Sequence, residues 1–367
     1  MFDLSEEQEA RAKRLHKDCL VVDSTELIHM ATKERWFHQA REGGVDVAWI
    51  TVGGNSGISE TIRAAANVLR FIEAHSDVAV QVRSAGEMLQ AKKEGKLGIM
   101  LATQDAACLD GDFAFLTVMH RLGYRVMGLT YSESNMLGDG CGERTREIRG
   151  LSYFGVDVVK EMNRLGIMID LAHCGDATTM EAISLSTLPC VFTHANVRAI
   201  ASTSRNKTDE QIKAMAATGG VMGITGLPKM VNDDLYAADL DGILDHIDYV
   251  VDLVGVDHVG YGGDNTDSVE RVALGEMLPG HGTSTTTSMK KATPTTGAGW
   301  AYWRIKRPDM LGTIEERDTV PYAKGLENLS MLPNLTRGLV ARGYNDESIS
   351  KILGGNWMRV LEQGRNS

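Results

Sequence analysis

No apolar run in this chain reaches the roughly 18–20 residues that a membrane-spanning helix requires. The opening stretch, MFDLSEEQEARAKRLHKDC, is charged throughout and holds no apolar segment of the kind a secretory signal needs. The expectation is therefore a cytoplasmic protein without a membrane partner. No CxxC pair occurs either. The five cysteines, Cys19, Cys108, Cys141, Cys174 and Cys190, are an odd number, which suits reduced thiols in small buried positions better than a disulfide framework. Positive charge is in deficit: 38 Lys and Arg against 49 Asp and Glu leave a net charge of −11. That balance argues against nucleic acid or an anionic membrane as a partner. No GxGxxG follows the first apolar run, so the phosphate-binding turn of a dinucleotide fold is missing.

What is present is an alternation. Of 367 residues, 43% are hydrophobic and 24% charged, the balance of a soluble globular protein. Short β-rich runs at 19–25, 45–52, 97–104, 125–131, 167–173, 189–194, 219–225 and 258–264 read as strands. They are apolar nearly throughout, as expected of strands buried on both faces. Between them lie amphipathic stretches at 60–74, 113–122, 153–165 and 208–217, and RLGYRV, RLGIMI, TGGVMG and LVGVDHVG each place glycine where a helix should stop. Strand–helix units repeated about eight times predict an α/β fold, a (β/α)8 TIM-like barrel formed as one domain over 1–367. Toward the end, 323–363 reads as two closing helices with turns at RGYND and GGNW.

One stretch breaks the rhythm. Residues 271–320 are rich in Ser, Thr and Gly and carry Trp300, Tyr302 and Trp303 close together. An insertion of this length inside a compact domain reads as a lid or an oligomer contact, and its aromatics set it apart from an ordinary disordered segment.

In such a barrel the chemistry sits at the C-terminal ends of the strands. The polar residues there are Asp23, Thr25 and Glu26, then Gln104 and Asp105, Tyr131, His173, His194 and Asp264. Two histidines ending neighbouring strands, with an aspartate ending the last, form a metal-ligand set in kind and position. Asp264 could equally take a proton from an attacking water. Each residue also has an ordinary structural use, such as a hydrogen bond at a strand end or an Asx-turn.

Several segments together go further. EMNRLGIMIDLAHCGDATTMEAI, PCVFTHANVRAI, RNKTDEQIKAMAATGGVMGI, HVGYGGDNTD and the C-terminal KGLENLSMLPNLTRGLVARGYNDESISKILGGNWMRVL resemble the membrane (renal) dipeptidase family, in order and over about residues 19–362. The resemblance implies a metal-dependent hydrolase barrel with two zinc ions bridged by a glutamate, cleaving dipeptides. It further implies that His173 and His194 are ligands of one zinc and that Asp264 handles the nucleophilic water. Arg205 would hold the substrate carboxylate, which a planar guanidinium can grip through two parallel hydrogen bonds. Tyr131 stands where many members have a histidine that polarises the scissile carbonyl, and a phenol can donate to the same oxyanion.

The departures from that pattern are as informative. The family's first strand ends Asp-Gly-His-Asn-Asp; here the stretch is Asp23-Ser24-Thr25-Glu26-Leu27, without its histidine and final aspartate. Gln104 replaces the bridging glutamate, and a neutral amide is a poor bridge between two divalent ions. The expected site is therefore reduced, with one zinc on His173, His194 and the Gln104 carbonyl. Glu26 and Asp105 are candidate replacement carboxylates, although strand alternation should turn Glu26 away from the face of Thr25. The function expected is hydrolysis of a dipeptide or related small carboxylate-bearing amide. The alternatives are a non-hydrolytic isomerase, lyase or tailoring enzyme on the same scaffold, or an inactive homologue. A homodimer is a further expectation.

Overall fold

The protein is described from a computed structural model over residues 2–27, 34–143, 149–265 and 306–365. Its strands are β1 (Val22–Leu27), β2 (Val47–Thr51), β3 (Ala79–Gln81), β4 (Leu97–Thr103), β5 (Tyr124–Gly128), β6 (Met168–Asp170), β7 (Cys190–Val191), β8 (Met222–Ile224) and β9 (Val259–Tyr261). Every pairing among them is parallel. A seven-stranded sheet runs β1-β2-β4-β5-β6-β7 with β3 attached to β4, and β8 pairs with β9. Backbone bonds tie the two sheets together on one side, where Phe192 N donates to Val221 O at 3.0 Å and Gly223 N to Phe192 O at 2.7 Å. On the other side Asp264 N donates to Thr25 O at 2.9 Å. The fold is thus α/β with a curled parallel sheet.

All eight sequence-predicted strands are present, though most are shorter than their apolar runs. The ninth, β3, was not foreseen; it takes the start of one β4 edge (Ala79 opposite Leu97), while β5 takes the end of that edge (Thr103 opposite Met127). Such a three-residue strand carries no periodicity to read.

The period-2 alternation of the strands sorts their side chains into two cores. Ala48, Ile50, Ile99, Leu101, Met127, Ile169 and Phe192 lie with the buried faces of the flanking helices. Val22, Val47, Trp49, Met100, Val126, Met168 and Val191 form the other cluster, closed by Trp357. The rings of Trp49 and Trp357 meet edge-on with centroids 5.0 Å apart. Burying an indole removes ~150–250 Å² from water, worth roughly 4–6 kcal/mol at ~25 cal/mol/Å².

Helices form where the amphipathic runs predict them. Tyr153–Leu165 begins under the Ser152 side chain and ends at Gly166, whose φ of 72° is the left-handed conformation a helix stop favours. The C-terminal stretch differs from expectation. GGNW does not end a helix; Lys351–Gly355 is a π-helical turn that runs directly into Asn356–Arg365. Gly354 packs so closely on β1 that a Cβ would meet Leu20 O at 2.3 Å, and the widened turn accommodates that approach. Of the 271–320 stretch, residues 271–305, including Trp300, Tyr302 and Trp303, lie outside the described residues. Beyond them, Pro308–Leu311 and Ile314–Thr319 are short helices. All five cysteines are buried and unpaired. Among the described residues, no helix is long and apolar enough to cross a membrane.

Candidate active site

The ends of β6 and β7 bring His173 and His194 together, with their Nε2 atoms 2.9 Å apart. Both side chains are buried, His173 at 5% and His194 at 0% exposure. Their surroundings fix which nitrogen carries the proton. Thr193 Oγ1 donates to Asp170 Oδ2 at 2.7 Å and Thr25 Oγ1 donates to Ser24 O at 2.6 Å. Each hydroxyl has lone pairs left for His194 Nδ1, at 2.8 and 3.2 Å respectively. His194 therefore holds its proton on Nδ1. On His173, Nδ1 lies 3.3 Å from Ser132 Oγ, and Nε2 accepts from Arg205 Nη2 at 3.2 Å.

The two Nε2 atoms thus face each other in a buried site, with the Arg205 guanidinium beside that of His173. Burial first, then the positive charges of Arg205 and Lys207, hold both imidazoles well below their ordinary pKa. A shared proton is disfavoured, so the converging lone pairs suit coordination of a single cation. No group of three His, Cys, Asp or Glu with metal-binding geometry exists among the described residues. The residues present fit two ligands of one ion and do not fit a second.

Arg205 is 1% exposed. It bonds through Nη1 to Ala172 O and through Nη2 to His194 O at 3.4 Å besides His173. Its Nε is buried without an acceptor among the described residues, an unused donor beside the histidines. Tyr131 stacks on His173 with ring centroids 4.0 Å apart and 22° between planes. Asp264 reaches the group through Thr25, whose carbonyl it binds; its φ of 45° is an uncommon left-handed setting that aspartate tolerates.

Gln104 follows the end of β4. Its amide donates to Thr51 Oγ1 at 3.1 Å, and the described contacts do not join it to either histidine. Asp105, once a candidate ligand, accepts from Ala107 N at 2.9 Å and Asn135 Nδ2 at 2.8 Å, so it holds a loop. A bulge in β1, where the register slips between Asp23 and Glu26, sends the Glu26 carboxylate to the Trp36 indole at 2.9 Å. Glu26 and Thr25 do have different neighbours, as alternation suggested.

Sequence reasoning missed Asp170, Thr193 and Lys207. Lys207 is fully buried and donates to Leu171 O at 2.8 Å and Cys174 O at 3.2 Å, bracketing His173; burial pulls its pKa down to about 8. The available signal was a polar residue inside an otherwise apolar run, as in MIDLAH and VFTHAN. A separate cavity of about 510 Å³ is lined by Lys13, His16, Asp46, Lys92 and Arg337. Asp46 precedes β2, so that cavity opens at the opposite, N-terminal ends of the strands.

The model of the membrane dipeptidase family, peptidase family M19, matches residues 9–276 and 316–367. The chain belongs to this family. Over 97% of its length it superposes on an amidohydrolase from Pseudomonas aeruginosa, covering 99% of that chain with 28% identity and a TM-score of 0.79. A metallopeptidase from Rhodobacter sphaeroides, liganded with a phosphinate mimic of the dipeptide L-Ala-D-Ala, shares the fold. There the TM-score is 0.73 and identity 19%, with 94% of this chain and 99% of that chain covered. Dipeptidase tcpJ of Claviceps purpurea (strain 20.1) is 25% identical over 294 residues, 80% of this chain. Dipeptidase verJ of Clonostachys rogersoniana is 26% identical over 292 residues, again 80% of this chain. The matches span only 57% and 62% of those two proteins.

Proposed function

We propose that this chain is a membrane-dipeptidase-like hydrolase that cleaves a dipeptide, or a related small carboxylate-bearing amide, at a one-metal site. The observation that carries this reading is the His173–His194 pair with both Nε2 lone pairs converging at 2.9 Å. We take the cofactor to be one zinc ion on these imidazoles, with the Gln104 carbonyl completing the protein's share. When bound, the ion would lower the pKa of a water and polarise the scissile carbonyl.

The chain's own residues supply the rest. Arg205 offers a buried cationic donor for the substrate carboxylate, supported by its unpartnered Nε. Asp264, at the end of the last strand, takes the proton of the attacking water and passes it to the leaving amine. Tyr131, stacked on His173, donates its phenol proton toward the developing oxyanion. We also read the two sheets, joined at Phe192 and at Thr25, as one closed (β/α)8 barrel in a single cytoplasmic domain. Residues 271–320 would then serve as a lid or a homodimer contact.

A second reading rests on one contact. Arg205 Nη2 already occupies His173 Nε2 at 3.2 Å, so the site could work as a metal-free acid–base centre in an isomerase or lyase. Zinc-loaded protein assayed on Ala-Ala-type dipeptides separates the two. Turnover abolished in Asp264→Asn is the result expected of the hydrolase. Failure to cleave any of a broad dipeptide panel, with any divalent metal, would sink it.

A further inference from the structure

The backbone ladder between β8 and β9 stops where the site begins. Gly262 N still donates to Ile224 O at 3.2 Å. In a regular parallel ladder the next bonds would run from Gly226 N to Gly262 O and from Asp264 N to Gly226 O. Neither is present among the described residues. Gly226 N turns instead to the hydroxyl of Tyr322 at 3.0 Å, and Gly226 O accepts from Ala323 N at 2.9 Å. The Tyr322 hydroxyl passes its own proton to Gly263 O at 2.6 Å. With that proton committed, the Tyr261 phenol 3.2 Å away donates to the same oxygen. One donation and two acceptances leave this buried hydroxyl fully satisfied.

The peptide between Gly263 and Asp264 is thereby held at both ends. Its carbonyl accepts from Tyr322 Oη and from Thr225 Oγ1, the latter at 2.8 Å. Its N–H, that of Asp264, goes to Thr25 O at 2.9 Å. Asp264 needs such a hold. Its φ of 45° is left-handed, a setting that a residue with a side chain keeps only where its surroundings over-determine it.

We propose that Tyr322 is a positioning residue, whose hydroxyl replaces a rung between β8 and β9 and sets the conformation of Asp264. A regular ladder would spend the Asp264 N–H on Gly226 and keep the residue extended. The inserted phenol oxygen parts the two strand ends and frees that N–H for Thr25 on β1. The role of Asp264 in catalysis rests on the proposed hydrolysis; the clamp itself does not.

One substitution isolates the hydroxyl. The Tyr322 ring lies against the Cα of Gly226, where a Cβ would overlap it. Its own backbone is fixed by the next two residues, through Ala323 N on Gly226 O and Lys324 N on Ala238 O at 3.0 Å. Tyr322→Phe keeps the ring and these bonds. It strips Gly226 N of its acceptor and leaves Gly263 O to Thr225 alone.

Hydrogen exchange resolved to single amides tests the clamp in the full chain. In Tyr322→Phe the Gly226 and Asp264 amides should exchange about tenfold faster or more, while β4 keeps its wild-type rates. A crystal structure of the variant should show Asp264 out of the left-handed region. Wild-type exchange at both amides, or an unmoved Asp264, would overturn the proposal. The wild-type protein gives a check that needs no variant. Its Tyr322 hydroxyl proton should appear in NMR spectra as a slowly exchanging signal with a cross-peak to the Gly226 amide, and its absence would count against the clamp. For catalysis, Tyr322→Phe should lower kcat on a dipeptide about tenfold at unchanged KM and unchanged zinc content. Faster exchange with wild-type kcat would remove the positioning role. Wild-type protein that cleaves no dipeptide would reject the hydrolase, and exchange and the variant structure would still decide the clamp.

Discussion

Asp170 accepts the Thr193 hydroxyl at 2.7 Å, and this bond turns the Thr193 oxygen lone pairs onto His194 Nδ1 at 2.8 Å. A carboxylate three residues before one histidine thereby sets the tautomer of the other. Thr193→Val keeps the volume and removes that relay. Zinc affinity, measured by competition with a chromophoric chelator, should fall about 10–100-fold. Equal affinity in the variant would mean that Thr25 alone suffices to orient His194.

Arg205 is the buried guanidinium beside His173. Arg205→Lys keeps the charge but loses the planar fork. With about 1.5–3 kcal/mol at stake for a hydrogen bond to a charged group, KM for a dipeptide should rise roughly 10–150-fold with kcat much less affected. An equal fall in kcat at constant KM would place Arg205 in the transition state rather than on the substrate carboxylate.

His246 provides a stability prediction far from the chemistry. Its Nδ1 accepts from Val197 N at 3.1 Å and its Nε2–H donates to Val231 O at 3.0 Å. Burial, the dominant cause, lowers its pKa from 6.5 to about 4. A depressed folded value means that this stabilisation is complete above the unfolded pKa and is lost as pH falls toward the folded one. His246→Leu should therefore be less stable than wild type at pH 7. Urea titrations should show the gap closing between about pH 6.5 and 4, by up to about 3 kcal/mol. A gap of constant size over that range would contradict a neutral buried imidazole.

Much of this was legible in the sequence because the strands are buried on both faces and the helices on one. The runs at 97–104 and 153–165 became β4 and Tyr153–Leu165 with little change. The histidines were legible as a pair because two of them close neighbouring apolar strands. The Gln104 amide's bond to Thr51 was not legible, because a strand-end position fixes the backbone, whereas the Thr51 hydroxyl comes from a neighbouring strand. The sequence named Asp23 and Glu26 at the end of β1 but not their partners. The Trp36 indole that binds Glu26 comes from a later helix and leaves no pattern in the strand. GGNW resembled a turn because glycine pairs usually mark one, while here Gly354 serves close packing on Leu20.

The central claim is that this member of the family works with one metal ion, held by the His173–His194 pair. Elemental analysis of chelator-treated protein reloaded with zinc tests it most directly, with His173→Ala as control. The account predicts about one zinc per chain, lost in the variant. Two per chain, or none retained after incubation with zinc, would contradict it.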